Sequence, residues 1–183
     1  AFLKVTGFTY KSMQVKRNGE LLSINYRVPN QNQCKECHLK NNEIMPIGPK
    51  SRNLNFSIEY KDKKANQISY WLENEMVENH IPLDLIVDWS DVSAPIEARA
   101  RAYLDINCGH CHMPSGSADT TGLYLQLTET DNMKLGIYKK PVAAGRASGD
   151  LKYSIVPGKP DESIMLNRMK SLDPGEMMPE SGR

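Results

Sequence analysis

At 183 residues the chain has room for one large or two small domains, and its hydrophobic fraction of 39% is modest. Its 23 Lys and Arg nearly balance 22 Asp and Glu, and the basic residues are scattered, which argues against a nucleic-acid partner. No apolar run approaches the ~18 residues of a membrane span, and no signal peptide is visible.

In chain order, residues 1–30 read as β structure. Val5 to Tyr10, Ser12 to Lys16 and Leu21 to Val28 are strand-like runs, and Asn18-Gly19 is a strong hairpin turn. Val28-Pro29 then ends the strand. Ile44 to Asn55 carries Pro46, Gly48 and Pro49 and reads as a loop. Asn66 to Val77 has Ile68, Trp71, Leu72 and Met76 along one side, the pattern of an amphipathic helix. His80 to Asp91 reads as a connector. Ser93 as a cap, Pro95 in the first turn and Glu97 beside the dipole announce a helix that runs to Cys108. Residues 113–160 are rich in Gly, Pro, Ser and Thr, with one expected strand at Leu123 to Leu127. Glu162 to Ser171 is expected to form a short helix. Met45-Pro46-Ile47-Gly48-Pro49-Lys50 is echoed by Met178-Pro179-Glu180-Ser181-Gly182-Arg183. A Trp-containing helix follows the first copy, so an equivalent C-terminal helix is expected to be missing after the second.

The chemistry is concentrated in two copies of C-x-x-C-H, Cys34-Lys35-Glu36-Cys37-His38 and Cys108-Gly109-His110-Cys111-His112, which use all four cysteines. This is the attachment signature of c-type haem: two thiols add across the haem vinyl groups, and the next imidazole becomes the proximal iron ligand. Paired zinc motifs usually stand roughly 15–20 residues apart, whereas about 70 separate Cys37 from Cys108. A thioredoxin-like motif needs one C-x-x-C and leaves the histidines unexplained. The expected cofactors are therefore two covalent haem c groups, and disulfides are not expected. Covalent haem c is assembled outside the cytoplasm, so the precursor is expected to be exported, to a periplasmic or extracellular location. The start at Ala1-Phe2-Leu3 suits a mature protein or an excised domain.

With these motifs in place, the chain resembles a group of bacterial dihaem c-type cytochromes. The stretches that carry the resemblance are Tyr26-Arg27-Val28-Pro29-Asn30, Pro46-Ile47-Gly48-Pro49-Lys50-Ser51-Arg52-Asn53-Leu54-Asn55, Asn66-Gln67-Ile68-Ser69-Tyr70-Trp71, Tyr103 to His112, Ile155-Val156-Pro157-Gly158 and Met178 to Arg183. Members of that group look like exported electron-transfer proteins, often linked to polysaccharide-active or β-helix proteins. The resemblance implies a protein redox partner, with a secreted copper oxidoreductase such as a lytic polysaccharide monooxygenase as one acceptor.

A sixth, distal ligand decides whether such a haem carries electrons or reacts with small molecules. For the second haem the choice is Met178, beside Met177 and stiffened by Pro179. For the first haem, Met76 and Met45 both remain open, with His80 as a bis-His alternative. Met45 lies close behind His38, and Met76 has helical spacing that also suits ordinary packing. His110 is expected to be solvent-exposed at a haem edge. Arg52, Arg146 and Arg168 are candidates to pair with propionates, with one of the three expected to do so.

The fold expected from this reading is mainly α, with two cytochrome c-like haem lobes and a small N-terminal β hairpin. Its parts are a β segment over 1–30, a first lobe over 31–91 and a second over 92–183. The expected activity is one-electron transfer rather than catalysis, with two haems close enough for internal exchange. The competing expectation is a dihaem peroxidase-like enzyme, or a haem sensor domain, with an open first haem.

Overall fold

The computed structural model describes residues 7, 9–78 and 85–180. His80, Ser181, Gly182 and Arg183 fall outside them, as do Val5, Thr6 and Phe8 of the Val5 to Tyr10 run.

Strand β1 (Thr9–Arg17) pairs antiparallel with β2 (Glu20–Val28), Thr9 facing Val28 and Arg17 facing Glu20. Asn18 and Gly19 turn the chain at φ of 51° and 88°, the two-residue geometry whose twist matches the strands. This register puts Met13, Val15, Leu22, Ile24 and Tyr26 on one face, and all of them remain exposed.

Asn30 then starts helix α1 (Gln31–His38) with a reciprocal cap. Its Oδ1 accepts from the Gln33 N–H at 3.0 Å, and its own N–H donates to Gln33 Oε1 at 3.1 Å. After α1 the chain doubles back through β3 (Leu39–Lys40) and β4 (Glu43–Ile44). The turn between them is Asn41-Asn42, at φ of 50° and 64°, a left-handed pair that asparagine tolerates better than most residues. Helix α2 (Ser51–Leu54) and the hairpin of β5 (Ser57–Glu59) and β6 (Lys64–Asn66) lead to α3 (Gln67–Glu73). Asn66 caps α3 by accepting from the Ile68 and Ser69 N–H groups. The helix is shorter than the 66–77 pattern suggests, because Glu75 at φ 53° turns the chain away and leaves Met76 beyond its end.

The longest helix, α4 (Ile96–Asn107), delivers the chain to Cys108 as the sequence indicates. Pro95, not Ser93, stands at its N-cap; the Ser93 hydroxyl donates to the Asp91 carboxylate at 2.7 Å. Helix α5 (Ile164–Lys170) forms within the expected 162–171 segment. The expected strand at Leu123 to Leu127 does not form. Its N–H groups serve other partners: Tyr124 donates to the Lys134 carbonyl, Leu125 to the His112 carbonyl and Leu127 to the Asp105 carboxylate.

The mainly α expectation is overturned. Among the described residues helix accounts for 29% and strand for 19%, as five helices and small antiparallel hairpins. Helical periodicity was present only in short segments, and the turn-rich 113–160 stretch folds into irregular loops and two 3₁₀ turns instead. Among the described residues the apolar core is thin: Ile68, Ala102, Leu125, Ala147, Val156 and Ile164 are the buried hydrophobics. Five of the six belong to the second half. No helix among the described residues is long and apolar enough to cross a membrane.

Candidate functional site

The two C-x-x-C-H motifs are built differently. In the first, Cys34, Cys37 and His38 all lie in α1, at spacings of three and four that put them on one helical face. The β3–β4 hairpin brings the chain back to the histidine: the Met45 N–H donates to the His38 carbonyl at 2.8 Å, and the Met45 carbonyl lies 2.9 Å from His38 Nδ1. A carbonyl on Nδ1 fixes the ring and leaves Nε2 free to ligate a metal. This contact ties the Met45 backbone to the edge of the imidazole opposite Nε2. The Met45 side chain is exposed, and Met76 is more exposed still.

In the second motif Cys108 caps α4, and residues 109–112 wind tightly beneath it. Cys111 and His112 both donate their N–H groups to the Cys108 carbonyl. Gly109 is required here, since a Cβ would stand 2.9 Å from the Asp105 carbonyl oxygen. His112 and Cys108 line a cavity of about 270 Å³ together with Met178, Leu123, Ile164 and Met165. Arg168 stands at the same cavity and donates from Nε to the Glu176 carbonyl at 2.8 Å. The backbone of Met178 is held by its N–H donating to the Arg168 carbonyl at 3.0 Å. Cys108, His112 and Met178 also line a second cavity of about 390 Å³, which reaches Cys37, His110 and Cys111.

Burial is the largest influence on His112 and lowers its pKa, while the Cys111 thiol and the Leu123 backbone push it back up. The ring is therefore held neutral, the form that ligates a metal. Its Nδ1 is buried without a well-formed hydrogen bond among the described residues. Burial raises Cys108 to about 11. The neighbouring Cys37 and Cys111 thiols shift each other in opposite directions, Cys37 up and Cys111 down, so Cys111 ionises first. All four cysteines are free.

No known family model, curated protein or solved structure matches this chain.

Two features of the site were not apparent in the sequence. The first is a convergence: the Sγ atoms of Cys37 and Cys111 and a ring nitrogen of His110 lie within 4.8 Å of one another. His110 is thus half-buried between the motifs rather than solvent-exposed, and its Nδ1 is enclosed without a partner among the described residues. The second is the clasp at Asp105, on α4 just before Cys108. Its buried carboxylate accepts from Lys50 Nζ at 2.7 Å, from Arg52 Nε and Nη2 at 3.0 and 2.9 Å, and from the Leu127 N–H at 2.9 Å. Burial alone would raise its pKa; the Arg52 and Lys50 hydrogen bonds outweigh it and hold the carboxyl at about 2. Arg52 is therefore committed to a carboxylate, as is Arg146, which forks onto Asp173 at 2.9 and 3.1 Å. Of the three arginines considered for propionates, Arg168 alone lines the cavity of His112 and Met178. Tyr103 packs edge-on to Trp89 and lines the cavity that joins the two motifs.

Proposed function

We propose that the chain is an exported dihaem cytochrome c that carries single electrons between proteins. The observation that carries this reading is that His112 of the second C-x-x-C-H and Met178 line one apolar-walled cavity. The residues fit the group in kind: paired thiols, a neutral imidazole, a thioether and an arginine for a carboxylate. The thin apolar core also supports it, since a covalently attached macrocycle contributes apolar surface that a chain of this size otherwise lacks.

Bound haem c would supply a one-electron couple at its iron. The chain's own work is to hold and tune it. Cys34 with Cys37, and Cys108 with Cys111, anchor one group each. His38 and His112 would hold the two irons, His38 oriented by the Met45 carbonyl. Met178 would be the distal ligand of the second group and raise its potential. The partner proposed from the family resemblance is a redox protein, with a secreted copper oxidoreductase as one acceptor.

A second reading has a specific observation behind it. Met45 is tied by its backbone to His38 Nδ1, and Met76 is largely exposed, which favours a first haem with an open sixth position and peroxidase-like or sensing chemistry. The visible spectrum of the purified protein, oxidised and reduced, with and without carbon monoxide, separates the two. Two low-spin haems that ignore the gas are expected for a carrier, with the weak Met–Fe(III) band near ~695 nm. One haem that binds carbon monoxide would favour the enzyme or sensor. A soft metal ion held by Cys37, His110 and Cys111, with no haem in the mass spectrum, would overturn both.

A further inference from the structure

The two haem motifs lie far apart in sequence yet meet through particular atoms. Cys37 is the second thiol of the first motif and Cys111 the second thiol of the other, and their Sγ atoms approach within 4.8 Å. Cys111 Sγ also reaches the Glu36 carbonyl at 3.6 Å. His110 completes the junction, half-buried against both sulfurs with Nδ1 enclosed. The junction is fixed from behind, because Asp105 on α4 is tied to Lys50 and Arg52, which follow the first motif. A haem thioether bonds the macrocycle's side carbon directly to Sγ. Two macrocycles attached at Cys37 and Cys111 would therefore meet at these edges.

This inference rests on the dihaem reading above. We infer that the Cys37–Cys111 junction is the route by which the two haems exchange electrons, with His110 the positioning residue that fills the space between the thioethers. The exchange would move a single electron from a reduced haem held at one motif to an oxidised haem held at the other. No covalent bond forms or breaks, and no proton need move.

The test uses the holoprotein, with two haems per chain first established by intact mass. A different haem count would overturn the dihaem reading itself, separately from the junction. With two haems present, the fully oxidised protein should show low-spin electron paramagnetic resonance signals split or broadened by the neighbouring iron, and the splitting should be lost on one-electron reduction. Two sharp, independent ferric signals would overturn the junction while leaving the dihaem reading intact. After rapid single-electron reduction, His110→Gly should slow redistribution between the haems, and His110→Gln should restore part of the rate. Unchanged redistribution in His110→Gly, with haem content and visible spectrum as in the parent protein, would overturn the role of His110.

Discussion

The two C-x-x-C-H motifs share a chemistry but divide its requirements. The first sits on a capped helix none of whose residues is buried, and its histidine is oriented by a backbone carbonyl that the Asn41-Asn42 turn delivers. The second is wound against α4, with a histidine whose Nδ1 makes no well-formed hydrogen bond among the described residues but which shares its cavity with Met178. One motif has its proximal orientation built in, and the other has its distal candidate built in. On the proposed dihaem reading, proximal and distal control are separable, and a motif match predicts the anchors of a haem without predicting its potential or reactivity.

The sharpest way to break this comparison is Met178→Ala. In the proposed dihaem cytochrome it should abolish the ~695 nm band, open the second haem to carbon monoxide and lower that haem's potential. The fall should be on the order of 100 mV or more, within the ~0.8 V range that axial ligands command. Spectroscopic redox titration checks it, and the first haem should be unmoved. Equal shifts in both haems would mean that Met178 does not belong to the second alone.

Next in size is the clasp between the halves. Asp105→Asn leaves Lys50 and Arg52 facing a neutral group in a mostly buried site, and should destabilise the fold by roughly 3 kcal/mol in denaturant titration. The same carboxylate carries a pH signature. Its folded pKa is lowered to about 2, below the ~3.9 of an unfolded aspartate. The stability it contributes, roughly 2.5 kcal/mol, is therefore present above pH ~4 and is lost as pH falls from there toward 2. Asp105→Asn should flatten the stability curve across that acid window. A curve unchanged from the parent would assign acid sensitivity to other groups.

How much of this was legible depends on how local each feature is. The Asn18-Gly19 hairpin and the helix leading to Cys108 were readable because each is written in a few adjacent residues. The class was misread as mainly α because helical periodicity in 66–77 is cut short by Glu75 and the β3–β4 and β5–β6 hairpins stand in the first half; the strand expected at Leu123 to Leu127 fails separately, its N–H groups bonding to Lys134, His112 and Asp105. Arg52 looked like a propionate partner because nothing local in Pro49-Lys50-Ser51-Arg52 indicates that its carboxylate stands on α4. The Cys37–His110–Cys111 junction was invisible for the same reason. Its members come from two motifs, and only the fold brings them together.

The smallest effect tests the first motif from a distance. Asn42 holds φ of 64° in the β3–β4 turn, a left-handed conformation that costs a residue with an ordinary Cβ roughly 1–2 kcal/mol. Asn42→Ala should therefore destabilise by about 1 kcal/mol, measured as a shift of the denaturant midpoint. That loss is too small to unfold the chain, but the turn is what returns the Met45 carbonyl to His38 Nδ1. A loosened carbonyl weakens the orientation and basicity it gives the imidazole. The first haem's potential should move while the second haem's stays fixed, the mirror image of Met178→Ala. If both variants shift the same haem, the division of labour between the two motifs fails.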